Sequence, residues 1–357
     1  MELYRIEGRQ RKTYEVDVQC GLLWEAALGI AAITNEKLVD TLEESDHVWG
    51  GKRSTFSESL ENQLRYVQKH NTWKAILQLL HHSNCVAIKE WRKYVHSLRG
   101  EELKRIALPY LGGEYEEVRK KASEGDRESV HFLMEAAQWN PFYPDYIQHI
   151  VHSDEKELKS HLIEVMEEWW RYVLEPNQKE YREILERDAE SKREKRERLD
   201  AESFVEWATN GITYLPEPGV FKVLLIPHYV YRPWNVEADL EGTKVMYYPV
   251  SNESINPKKQ SAPDEMLVRR LKALGDETRL TILKKLTINP YTLKQLTEEL
   301  KMGKTTVHHH VKLLKSSRLV RQEGNIYELN KQVVERLPGE VSIWLEIDQE
   351  GDAHGSI

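Results

Sequence analysis

The stretch TLKQLTEELKMGKTTVHHHVKLLKSS, residues 292–317, decides the fold. Thr292 can cap a helix in which Leu293, Leu296 and Leu300 recur at helical spacing. Lys301-Met-Gly303 leaves room for a turn of only about three residues. A second helix is expected from Lys304 to about Ser317, with Val307, Val311 and Leu314 at i, i+4 and i+7 on its inner face. Two helices joined so tightly match the helix-turn-helix unit. The opposite face of the second helix offers Lys304, Thr305, His308, His309 and Lys312, and Thr306 joins the candidate contact set. These side chains are basic or hydrogen-bonding and none is bulky and apolar, as reading a DNA major groove requires.

Working outward, Met266, Leu267, Leu271 and Leu274 form a helical stripe that ends at Gly275. Asp276 is a good N-cap for another helix, whose Leu280, Ile282, Leu283 and Leu286 continue until Asn289-Pro290 stops it. Beyond the reading helix, Leu319-Val-Arg-Gln-Glu-Gly-Asn-Ile-Tyr-Glu-Leu329 places two apolar runs around Glu-Gly-Asn, a hairpin signal. Helix, helix-turn-helix and hairpin in this order make a winged helix, with Arg321 and Asn325 on the wing, near the DNA backbone or minor groove. Charge agrees. Asp264–Leu337 holds 15 basic and 9 acidic residues, net +6, although the whole chain is −8 and the remainder therefore −14. A basic segment on an acidic body suggests an anionic partner, with nucleic acid the first candidate.

At this point a resemblance is visible. Leu271-Lys-Ala-Leu-Gly-Asp-Glu-Thr-Arg-Leu-Thr-Ile-Leu283 resembles the opening of the ArsR-type winged helix-turn-helix repressors. Thr305–Lys315 resembles their recognition helix and Gly324-Asn-Ile-Tyr327 their wing. The resemblance covers only the C-terminal part of the chain. It implies a cytoplasmic bacterial or archaeal transcription factor that binds double-stranded operator DNA as a homodimer. By that correspondence Lys304, Thr305, His308 and His309 fall on base-facing positions and Lys312 near a phosphate. Two departures stand out. Gly303 replaces the serine often found at the recognition-helix cap, and Tyr291-Thr-Leu-Lys-Gln-Leu296 lacks the Cys-x-Cys of the metal-sensing members. A thiolate sensor at that site is therefore not expected.

The 357 residues suggest two or three domains. The expected organisation is a mainly helical sensor or dimerisation domain (1–250), a linker (251–263, SNESINPKKQSAP), the winged helix (264–347) and a disordered tail (348–357). Tyr14–Cys20 alternates like a strand, and Gly21–Thr34 suits a buried helix. Helical patterns dominate from Phe56 to about Ala208, broken near Gly112-Gly113 and Asn140-Pro141. Glu180–Glu206 is dense in Glu, Lys and Arg and reads as a solvated helix face. Phe221–Ile226 and Thr243–Tyr248 read as strands that could join Tyr14–Cys20 in one small sheet. The fold class expected is α+β, mainly α. Val341–Leu345 is apolar enough to pack on the reader domain or across a dimer.

Several classes are set aside. No apolar run of about 18 residues suggests a membrane helix, and Met1–Thr13 lacks the apolar core of a secretion signal. Two cysteines, Cys20 and Cys85, supply no disulfide framework. The compartment expected is the reducing cytosol. His308-His309-His310 is not expected to bind metal, because adjacent helix positions diverge by about 100° and no ligand type follows at i+3 or i+4. His310 instead packs or touches a phosphate. His81, His82 and Cys85 read as partly buried side chains rather than ligands. No cofactor is expected. Catalytic signatures such as G-x-S-x-G, H-E-x-x-H, a Walker A loop or G-x-G-x-x-G are missing, so no enzyme is expected.

Nine of the ten tryptophans precede the linker: Trp24, Trp49, Trp73, Trp91, Trp139, Trp169, Trp170, Trp207 and Trp234. Most of these should pack in a core, but Trp139–Pro144 and the Tyr229, Tyr231, Trp234 group are places for a pocket or dimer face. The function expected is a DNA-binding transcriptional regulator, a repressor by resemblance, with a small-molecule effector for the first domain. The alternative is a protein–protein interaction or dimerisation module that uses a winged helix for docking.

Overall fold

The computed structural model describes residues 13–39, 41–43, 53–197, 199–257 and 265–345. The expected disordered tail, the N-terminal stretch before Thr13, Trp49 and residues 258–263 of the expected linker lie outside them. The architecture is α+β and mainly α. The chain divides into two compact units, Met1–Val250 and Ser251–Ile357. Ser251 caps a short helix, Asn252–Ile255, inside the stretch read as a linker. Among the described residues no helix is long and apolar enough to cross a membrane.

In the first unit, strand β1 (Glu15–Val18) leads into α1 (Leu22–Ile33). Every residue of α1 except Trp24 is buried, as its almost unbroken apolar sequence demands. Gly29 is required there. A Cβ at this position would sit 2.7 Å from the ring of the wholly buried Trp169. Glu25 is buried too, and its carboxylate accepts the amides of Tyr229 (2.9 Å) and Val230 (2.7 Å), which satisfies the charge and ties α1 to the loop after β2.

Around α1 run α2 (Glu58–His70), α3 (Trp73–His82), α4 (Ile88–Ser97), α5 (Gly100–Ala107), α6 (Glu116–Ser123), α7 (Arg127–Ala136), α8 (Tyr143–His152) and α9 (Glu155–Trp169). Local caps place their starts: Ser57, Asp126 and Asp154 each accept amides of the first turn. The charged run expected as one solvated face is two helices, α10 (Gln178–Arg196) and α11 (Ala201–Ala208), separated where Asp200 caps the second. The face of α10 that carries Ile184, Leu185, Asp188 and Lys192 is buried.

The strands β2 (Lys222–His228), β3 (Val236–Leu240) and β4 (Thr243–Pro249) join β1 in one sheet of order β1-β2-β4-β3. Sequence reading placed three of these strands together. The pairings are parallel for β1–β2 and β2–β4, with Val16 opposite Val223 and Leu225 opposite Met246. It missed β3, an antiparallel edge joined to β4 by Glu241-Gly242, where Gly242 takes φ +67°. The alternation in Val236-Glu-Ala-Asp-Leu240 before a Glu-Gly pair was the available signal.

A histidine cluster holds α2, α8 and α9 together. The His70 and His149 rings stack at 3.8 Å, and the Tyr66 ring lies 4.3 Å from that of His161. Tyr66 Oη meets His149 Nε2 at 3.1 Å, and Thr72 Oγ1 meets His161 Nε2 at 2.7 Å. Gln63 accepts from the other ring nitrogen of His161.

After the short helix Asn252–Ile255, the second unit continues with α12 (Glu265–Leu274) and α13 (Glu277–Leu286). Asp276 caps α13 by accepting the Arg279 amide at 2.9 Å. Arg279 in turn donates to the carbonyls of Ala273 (2.7 Å) and Lys272 (2.9 Å) at the end of α12, so the two residues stitch this corner. Strand β5 (Tyr291–Thr292) precedes α14 (Leu293–Leu300) and α15 (Lys304–Ser316). The hairpin β6 (Val320–Glu323) and β7 (Ile326–Leu329) follows, and β5 pairs with β7. The last helix is α16 (Lys331–Trp344).

Two expectations are corrected here. Leu271 and Leu280, counted in the apolar stripes, are 45% and 49% exposed, because the core is closed by Ala273, Ile282, Leu283 and Leu286. Only the tail Val341–Leu345 was singled out after the wing, yet a helix runs through Pro338. Burial of Val333 and Leu337, together with an ion pair between Arg270 of α12 and Glu340 at 2.6 Å, holds α16 in place.

Candidate nucleic-acid interface

The helix-turn-helix is built by local signals. Thr292 Oγ1 accepts the Gln295 amide at 3.3 Å, while Gln295 Oε1 accepts the Thr292 amide at 2.8 Å, a reciprocal capping box for α14. Lys301 ends that helix in the left-handed region at φ 52° and turns the chain. Gly303 begins α15 with no side-chain cap. Val307, Val311 and Leu314 are buried against Leu296 and Ile282, which fixes the rotation of α15 about its axis.

That rotation leaves Lys304, Thr305, Thr306, His308 and His309 exposed and Lys312 half-buried. Among the described residues no ion pair holds Lys304 or Lys312, whereas Lys285 is paired with Glu299 at 2.7 Å. The unpaired lysines are thus free to meet phosphate or a base edge. His310 departs from the run: its Nδ1 lies 3.6 Å from Asp276 Oδ1, and its side chain is largely buried. Asp276 thereby caps α13 and faces α15 at once. The Arg279 amide, more than any other contact, holds the Asp276 carboxyl below the usual carboxylate range.

The wing is a separate element of the same unit. Arg321 is exposed on β6 and Asn325 is exposed at the turn, where Gly324 takes φ +58°. Lys315 Nζ donates to Gln322 Oε1 at 2.8 Å and so tethers the end of α15 to β6. Sequence reading missed this tether and the contact of His310 with Asp276. The tether links the end of α15 to the wing across the helix end, the His310 contact spans two helices, and no local pattern announces either.

Residues 276–322 match the bacterial regulatory protein, arsR family. The segment is an ArsR-family helix-turn-helix domain. Comparison of the chain with curated proteins and with solved structures finds no match. The ArsR-family match runs from the Asp276 cap into β6, so it contains α13, α14 and α15 but neither the first unit nor α16.

In the first unit the tryptophans divide. Trp91 and Trp169 are wholly buried, as packing residues should be, but Trp139 is 70% exposed at the turn before α8. Tyr231 is buried, and Trp234 Nε1 donates to Thr41 Oγ1 at 2.8 Å. His81 is bound to the Tyr247 hydroxyl at 2.5 Å and His82 to that of Tyr94 at 3.1 Å.

Proposed function

We propose that this chain is a non-catalytic transcriptional repressor that reads operator DNA with α15 and changes its affinity when the first unit binds a small molecule. The single observation that carries the reading is the division of α15: an apolar face sealed by Val307, Val311 and Leu314, and a basic, hydrogen-bonding face turned to solvent. In this reading Lys304, Thr305, Thr306, His308 and His309 meet base edges in the major groove, and Lys312 meets a phosphate. Arg321 and Asn325 lie along the backbone or minor groove. The chain acts as a homodimer on a pseudo-palindrome with half-sites about one helical turn apart. Support for self-association comes from the apolar residues left exposed in the second unit: Leu271, Leu280, Trp344 and Leu345.

Selection of bound duplexes from random DNA tests the reading, followed by mobility-shift titration. The Lys304→Ala/His309→Ala double variant is expected to lose specific binding with an unchanged circular dichroism spectrum. Undiminished binding by that variant, or enrichment of no sequence, would overturn DNA reading by this helix. The second outcome would favour the docking module instead. Sedimentation of the Leu271→Glu variant tests the dimer: a monomeric variant supports a contact through Leu271, and an unchanged dimer excludes it.

A further inference from the structure

We infer that the first unit binds a small, uncharged, mainly apolar molecule with an aromatic body in the cavity that contains both of the chain's cysteines. This deepens the ligand part of the proposed function and depends on it only for the effect on DNA. The cavity measures about 370 Å³ and lies between the turn from β1 to α1, the end of α3 with the loop after it, and α10. That volume suits a one- or two-ring ligand. It opens at the carboxyl end of β1, where the chain turns into α1.

The lining fixes the chemical class. Leu22, Leu23, Trp24, Leu80 and Leu185 supply apolar surface. Trp24 is the one residue of α1 that is not buried, so the otherwise sealed helix shows an aromatic side chain at this spot. Cys20 and Cys85, the two cysteines of the sequence, are free, half-buried and soft enough to pack against an aromatic ring. Burial pushes the Cys20 thiol up, so it faces the cavity as a neutral group. Gln19 and Asn84 offer uncharged hydrogen bonds. The charged members, Arg182 and Glu186, are exposed, opposite in sign and one turn apart on α10. The lining therefore carries no net charge, and an ionised ligand would be desolvated without a dedicated counter-ion.

The two thiols provide a footprint of the site. The full chain is alkylated with N-ethylmaleimide with and without 2-naphthol, a neutral probe of suitable size, and with 2-naphthoate, its anionic counterpart. Labelling of each cysteine is read by peptide mass spectrometry. Expected is a slowing of both Cys20 and Cys85 by about fivefold or more, with one shared half-saturation, and a requirement for about tenfold more naphthoate. Val86 is 79% exposed on the rim, so Val86→Trp is expected to obstruct the mouth and weaken protection while the melting temperature holds. Slowing of neither thiol, or of one alone, overturns the site. Equal protection by naphthoate overturns the uncharged class. Protection of both thiols with unchanged operator affinity upholds the site and overturns only its control of DNA binding.

Discussion

His81, His149, His161 and His228 are packed against neighbours inside the first unit, whereas His308 and His309 of α15 stand in solvent in the second. Burial pushes His161, His81 and His228 down to about 3. Burial also takes His149 to about 4, helped by the neighbouring His70. At His81, His149 and His161 the imidazole works as a neutral, hydrogen-bonded packing group. On α15 its edge is offered outward, where it can donate or accept in a groove. The same residue type thus serves opposite ends, and what differs is the number of neighbours that exclude water.

Acid provides the harshest test of this contrast. An unfolded imidazole titrates near 6.5, but the packed ones hold no proton until about 3 or 4. Their contribution to stability is complete above pH 6.5 and is lost as the pH falls from there towards the folded values. For His81 and His161 the loss between pH 7 and pH 5 is about 2 kcal/mol each. Tryptophan fluorescence melts follow the first unit, since nine of the ten tryptophans precede residue 251. They should shift sharply downward at pH 5. A pH-independent melt would break the contrast.

Next comes α15 itself. Leu314→Ala on its sealed face is expected to destabilise the second unit by about 2–5 kcal/mol. His309→Ala, on the open face, should change stability by less than about 0.5 kcal/mol yet weaken operator binding. Thermal melts paired with mobility shifts read both, and equal destabilisation by the two variants would contradict the division of the helix. Thr292→Ala removes half of a capping box and is expected to cost about 1 kcal/mol, again by thermal melt. The gentlest effect is that of Lys312→Ala. Affinity should fall evenly across DNA sequences, and the slope of log affinity against log salt should drop by about 1. Loss at one base position only would move Lys312 from phosphate to base contact.

Legibility varied along the chain for physical reasons. Asp276 and Thr292 act on amides within three residues of themselves, so the starts of α13 and α14 could be read directly. The open face of α15 was equally readable, since Val307, Val311 and Leu314 leave it no other orientation. The exposure of Leu271 and Leu280 was not legible, because periodicity names an apolar stripe without saying how wide a neighbour covers it. Helix α16 was hidden by Pro338-Gly339, which local propensity opposes and burial of Val333 and Leu337 overrides.

The sequence by itself determined the helix-turn-helix, the hairpin and the polar face between them, because caps, turns and 3.6-residue spacing are properties of neighbouring residues. Tertiary structure alone decided that β1 lies parallel to β2 some 200 residues later, that His310 turns to Asp276 rather than outward, that three histidines gather between α2, α8 and α9, and that Cys20 and Cys85 share one cavity. Each of these unites residues far apart in the chain. The free energy that selects such meetings comes from excluding water over the whole unit, which no local stretch of sequence records.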